Sequence, residues 1–274
     1  MEYRYCEDRS WEDFSSGRVL CGAHGAPNFP VRLGCELYRR ALSHCENKEK
    51  IRLYDCCCGG GYLLTVLGLL NQGTISRIYA SDIDERVLET ARKNLSLLSR
   101  DGMEKRMEEL RQLFSLYGKP SHEQAVESAE RLAGLLEREI PCTVFQADAG
   151  RPLNPGEEID ILIADVPYGD LTAWEGQEEA PGEEGRTGQG EKEPDGREQN
   201  RKEQNRKAQS GKEPDGLNRL VRNLTGCLGE KTLFVIVTDK GQKLRTEGLT
   251  ILEKGNVGKR RFYIFRKKRY EPFL

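Results

Sequence analysis

Short runs of consecutive apolar residues alternate along this chain with stretches whose apolar residues recur every three or four positions. That alternation predicts an α/β protein. The runs IRLYD from Ile51, IYA from Ile78, CTVFQADA from Cys142, IDILIADVPYGD from Ile159 and TLFVIVTDKG from Thr232 read as strands. LTILEKG and RRFYIFRKK read as a closing β-hairpin. The nearly unbroken run at 159–164 is what a strand buried on both faces of a parallel sheet requires. Helical spacing appears at 31–42, where Leu33, Leu37 and Ala41 share one side after Phe29-Pro30. It recurs at 62–67, with Leu63, Leu64, Val66 and Leu67, and at 85–98, with Val87, Leu88, Ala91, Leu95 and Leu98. Asp84 is the expected N-cap of this last helix.

Two regions depart from a minimal α/β chain. Residues 100–140 carry two helical patterns separated by Gly118-Lys119-Pro120-Ser121, with Ser121 as the expected N-cap, and read as an inserted helical hairpin. Residues 176–216 contain EKEPDG, two successive EQNRK runs and KEPDG, with almost no apolar residue, and read as a disordered low-complexity insertion. Residues 1–50 form an N-terminal helical extension, and the whole of 1–274 is expected to be one domain. Tyr3, Tyr5, Trp11 and Phe14 in that extension either pin it to the body of the protein or stack on unpaired bases.

The chemistry gathers at strand ends. In IRLYDCCCGGGYLLTVL the first strand passes through a Cys/Gly turn into a helix, and the bare backbone at Gly59, Gly60 and Gly61 lets a ligand approach main-chain N–H groups near the positive end of the helix dipole. Open α/β sheets hold nucleotide-like cofactors this way, although a tight strand-to-helix turn uses the same residues. Asp82 ends the second strand about 20 residues on, where an acid accepts hydrogen bonds from ribose hydroxyls. Ile83 beside it offers an apolar face to an adenine ring. Asp148 closes the third strand, and Asp165-Val166-Pro167-Tyr168 the fourth.

Composition narrows the class. The 43 basic and 45 acidic residues nearly balance, so net charge selects no partner. Basic residues nevertheless crowd the last strand pair, including Arg260 and Arg261. No run of ~18 apolar residues exists to span a membrane. The polar, acidic start is unlike a secretory signal, and nine cysteines without a C-x-x-C pair point to reduced thiols, no metal site and a cytoplasmic location.

Asp55, the glycines, Asp82, Asp148 and the proline-aromatic station together resemble class I S-adenosylmethionine-dependent methyltransferases. In that family's D-x-G-x-G-x-G, Cys57 stands here where the first glycine falls. The D-x-P-Y sequence resembles the N/D-P-P-Y element of enzymes that methylate nitrogen on nucleobases. FPVRLGCELYRRAL, CCGGGYLLTVLGLL, SDIDERVLETARKNLSLLS, the GKPS break and DVPYGDLTAWEG are similar, more specifically, to the AviRa type of avilamycin-resistance methyltransferase.

The resemblance implies a Rossmann-like, seven-stranded, mostly parallel sheet of order 3-2-1-4-5-7-6 with helices on both faces and the seventh strand antiparallel. It implies methylation of a guanine base in 23S rRNA, or in the large ribosomal subunit, protecting the ribosome from orthosomycins, by a monomer using S-adenosylmethionine. Asp55, Cys57, Gly59 and Gly61 then shape the methionine and ribose end, Asp82 and Ile83 hold ribose and adenine, and Asp148 with Ala149 meets the adenine amino group. Asp165, Pro167 and Tyr168 hold the target base, with Trp174 as a second stacking surface and Arg32, Lys119, Arg260 and Arg261 on RNA phosphates. The competing readings are a methyltransferase acting on protein or a small molecule, and a ribosome-associated protein that binds the cofactor without turnover.

Overall fold

The computed structural model describes residues 1–22, 28–166 and 216–268. Seven strands form one sheet: β1 (Ile51–Asp55), β2 (Ile75–Asp82), β3 (Cys142–Gln146), β4 (Ile161–Asp165), β5 (Leu233–Asp239), β6 (Leu249–Val257) and β7 (Arg260–Lys267). Their order is 3-2-1-4-5-7-6, as expected, with β1 to β5 parallel and β7 antiparallel to both β5 and β6. β2 begins three residues before the expected Ile78, at Ile75, because Ser76 and Arg77 occupy half-buried positions in the strand. β3 stops at Gln146, so Asp148 lies in the turn beyond it rather than on its last residue.

The helices are α1 (Val31–Ser43), α2 (Tyr62–Leu70), α3 (Glu85–Ser96), α4 (Arg100–Tyr117), α5 (Pro120–Ala133) and α6 (Gly216–Cys227). Strand pleating divides the core into two layers. Along β5, Leu233, Val235 and Val237 face a layer shared with α1 to α5, and Phe234 and Ile236 face a layer shared with α6. Leu33, Leu37 and Ala41 are buried in the first layer, as the helical spacing requires.

α4 and α5 pair as the expected hairpin. The break differs in detail: Gly118 closes α4 in the left-handed region at φ 60°, and α5 starts with Lys119 at the N-cap and Pro120 as its first residue. Proline fits that position because its missing N–H has no helical partner there, so Ser121 falls inside the helix rather than capping it. Asp84 caps α3 as expected, accepting from the Arg86 N–H at 2.9 Å.

The N-terminal extension packs over α1, α2, α3 and α5. Glu36, fully buried, accepts from the main-chain N–H groups of Arg4 and Tyr5 and from Arg40 Nε, whose guanidinium also reaches Glu253 on β6. Phe14 is buried, Tyr3 and Trp11 pack against the core, and the Tyr62 hydroxyl donates to the Phe14 carbonyl at 2.6 Å. Packing therefore occupies these three rings, while Tyr5 remains exposed. Among the described residues no helix is long and apolar enough to cross a membrane.

Candidate active site

The site is assembled where β1, β2 and β4 end. β1 delivers Asp55, whose Oδ1 accepts from the Cys57 N–H at 2.9 Å and which is almost entirely buried. The chain then turns through Cys56 to Gly61 into α2. Positive φ falls on Gly59 (51°) and Gly61 (71°), whereas Cys57 lies outside that region. The cysteine in place of a glycine therefore costs no backbone strain.

The two glycines have different tasks. A Cβ at Gly61 would lie 3.1 Å from the Cα of Ala91, so a side chain there would press on the backbone of α3. At Gly59 nothing lies within 4 Å of such a Cβ, leaving open space in front of the backbone. Gly61→Ala therefore combines a left-handed residue with a close backbone contact, and is expected to lower stability by about 2–4 kcal/mol in a urea titration.

Asp82 completes the cradle. Its Oδ2 accepts from the Gly59 N–H at 2.8 Å and its Oδ1 from the Asp84 N–H at 3.1 Å. Burial is the main cause that raises the Asp82 carboxyl above its ordinary range, opposed by these main-chain donors. Burial pushes the Asp55 carboxyl well up too, and the charges of Asp82 and Asp165 add to it. Three acids thus converge on one region, and a ligand carrying positive charge relieves their mutual repulsion. The Cys56 contact and burial push the Cys57 thiol well up, and burial does the same to Cys58, which favours the protonated form of both.

Asn94 is a member of this site that the hydrophobic pattern did not reveal. It sits fully buried on α3, three residues beyond Ala91. Its Nδ2 donates to the carbonyls of Gly60 (2.7 Å) and Cys21 (3.0 Å), and its Oδ1 accepts from the Cys21 N–H (2.7 Å). One amide thereby locks the glycine turn and the N-terminal extension to the same helix. A polar residue on the apolar stripe of α3 was the available signal. Asn94→Leu strands two carbonyls and an N–H, so a loss of about 2–4 kcal/mol in denaturant stability is expected, with cofactor affinity falling alongside.

Asp148 lies beyond β3, accepting from the Gly150 N–H at 2.7 Å and facing Arg151 at 3.2 Å; Ala149 beside it is buried. Ile83 is half-buried, and its carbonyl accepts from Gln146. Asp165 ends β4, with Arg260 Nη2 3.7 Å from its Oδ2. Burial pushes its carboxyl up to about 6, against the lowering effect of Arg260. Pro167, Tyr168, Trp174 and the 176–216 insertion lie outside the described residues, except that Gly216 opens α6.

The four candidate basic residues meet different partners. Arg32 is taken up by the N-terminal extension, with Asp8 at 3.1 Å, the Cys6 carbonyl at 3.2 Å and the Tyr3 ring at 4.1 Å. Asp8 is thus the anionic partner that a cation in the first turn of a helix needs. Lys119 caps the hairpin break, 5.9 Å from the Tyr117 ring. Arg261 donates to Asn256 across the β6–β7 hairpin, and Arg260 turns to the opposite face.

The family model described as RRNA methyltransferase AviRa matches residues 1–184. The chain belongs to the AviRa family. A curated relative from Streptomyces viridochromogenes, named 23S rRNA (guanine(2535)-N(1))-methyltransferase, is 42% identical over 184 residues, which cover 64% of this chain and 74% of the relative. Two solved structures of the rRNA methyltransferase aviRa from the same organism superpose with TM-scores of 0.76 and 0.77 at 32% identity, covering 97% of this chain and 96% of theirs. The sheet order and the AviRa match together make this a class I methyltransferase fold.

Proposed function

We propose that this chain uses S-adenosylmethionine to methylate N1 of a guanine in 23S rRNA. The observation that carries the reading is the Asp165 carboxylate: half-buried at the end of β4, raised by desolvation, and within electrostatic reach of Asp55 on the neighbouring strand. N1 of guanine is the ring nitrogen that bears a hydrogen in the nucleoside, so a base is needed there before the nitrogen can act as a nucleophile. An exocyclic amine makes a weaker demand. The name of the Streptomyces relative supports the same atom.

The residues present fit the cofactor. Open space in front of Gly59, a carboxylate at Asp82 with lone pairs beyond its two main-chain bonds, and the acid cluster suit a ribose and a cation together. When bound, S-adenosylmethionine supplies an electrophilic methyl group, and no metal is called for. Asp82 holds the ribose, Asp55 and the turn hold the methionine end, and Asp148 with Ala149 meets the adenine. Asp165 takes the N1 proton while the N–H electron pair stays on the base. Pro167 and Tyr168 hold the flipped base, with Trp174 as a second stacking surface. Of the four candidate cations, Lys119 and Arg261 remain for RNA phosphates.

Incubation of the purified chain with tritiated cofactor and 23S rRNA, intact large subunits or bulk protein tests this. Label in a single guanine, blocking primer extension as an N1-methyl group does, is expected. Label in protein, or cofactor binding with no transfer, overturns the reading. A susceptible strain carrying the gene is expected to tolerate avilamycin.

A further inference from the structure

β7 runs antiparallel to β5, so its first residue, Arg260, pairs with Asp239 and arrives at the sheet edge where β4 and β5 finish. From there its guanidinium turns back toward Asp165. The separation of 3.7 Å is long for a hydrogen bond but close for charge attraction. The Phe29 ring holds the same guanidinium at 5.4 Å from its Cζ. Arg260 Nε and Asp165 Oδ1 are each buried with no hydrogen-bond partner. The two facing side chains thus each keep a polar atom that nothing satisfies.

Resting on the function proposed above, we propose that Arg260 reads O6 of the target guanine while Asp165 reads N1–H, the two side chains forming one donor–acceptor unit. The guanine edge presents O6 as acceptor and N1–H as donor in adjacent positions. Adenine and cytosine reverse that order, which would set donor against donor and acceptor against acceptor. Uracil keeps the guanine order, so the second ring must be recognised elsewhere. The charges also follow the reaction. Before proton transfer Arg260 is balanced by the Asp165 carboxylate. When the N1–H bond breaks, the proton goes to Asp165, and the pair left on the base delocalises onto O6. The guanidinium, no longer balanced by Asp165, then stabilises the new anion in a site that is already oriented for it. With only 22% of its side chain exposed, Arg260 is poorly placed for a backbone phosphate.

Arg260→Met and Arg260→Lys in the full chain test this against a phosphate contact. For Arg260→Met the expected result is a kcat lower by about 100-fold or more, with KM for rRNA little changed and cofactor affinity by calorimetry intact. The acidic midpoint of kcat/KM should move upward, because the cation that lowers the Asp165 carboxyl is gone. Lysine should restore the midpoint but not kcat, since it lacks the planar fork. A rise in KM with unchanged kcat and a shallower salt dependence would make Arg260 a phosphate ligand and overturn the inference alone. Wild-type kcat in the lysine variant overturns it too, even if the methionine variant does not fold. Wild-type protein that transfers no methyl to 23S rRNA removes the function itself, and the inference with it, before any variant is made.

Discussion

Asp165→Asn is expected to lower kcat for rRNA methylation by about 10³-fold while cofactor affinity stays at the wild-type value. The amide is nearly the size of the carboxylate, so packing at the end of β4 is kept. What is lost is the ability to accept a proton, and an amide whose N–H₂ faces N1–H sets donor against donor. The pH dependence separates this from a positional effect. The ionised carboxylate is the active form, and burial raises its value to about 6. Wild-type kcat/KM should therefore be flat above that value and fall tenfold per pH unit below it. The asparagine variant should lack this limb altogether. Stopped assays from pH 5 to 8, with circular dichroism at each pH as the fold control, measure both. An asparagine variant that keeps the acidic limb would assign it to another group and remove Asp165 as the base.

The parts of this site that were legible in the sequence share a physical cause: each changes the local pattern of the chain itself. The run from Ile159 is read as a central strand because burial on both faces leaves little room for polar alternation, and the first four residues of β4 are all buried. Gly59 and Gly61 stand out because only glycine adopts their φ values without strain. Asp82 follows from the length of one helix and one strand. What the sequence hides are relations between distant segments. Arg260 looks like any other residue of a basic cluster, since neither the antiparallel course of β7 nor its pleat is written locally. Those two facts carry its side chain to Asp165, while the adjacent Arg261 meets Asn256. Asn94 is hidden because its partners, Cys21 and Gly60, are 73 and 34 residues away. Arg32 is decided by the path of the N-terminal extension, which brings Asp8 over the start of α1.

Asp82→Asn is the second large effect, and it falls on binding rather than on turnover. The carboxylate accepts from two main-chain N–H groups, Gly59 through Oδ2 and Asp84 through Oδ1, and each oxygen keeps a lone pair. An amide placed there retains only one acceptor oxygen. Either Gly59 or Asp84 then faces an N–H₂ group, donor against donor, and the glycine turn relaxes. The remaining oxygen can no longer accept from two ribose hydroxyls. Losing one charge-assisted bond to each partner is worth about 1.5–3 kcal/mol per bond, so a rise in Kd of at least about 100-fold for both S-adenosylmethionine and its demethylated product is expected by calorimetry. Because the product has lost the sulfonium charge, equal losses for the two ligands would place Asp82 on the ribose they share. A loss confined to S-adenosylmethionine would instead mean that Asp82 acts through its charge on the sulfonium. An unchanged Kd for both in a folded variant would remove Asp82 from the cofactor site. The direction of the stability change separates this from simple unfolding. The folded Asp82 carboxyl lies above its ordinary value, so the protonated form favours the fold and its contribution is lost as pH rises through that folded value. Removing the ionisable group should therefore make the melting temperature less dependent on pH around that folded value, while the loss of ligand affinity persists above it, where the wild-type carboxylate is ionised and at its most effective.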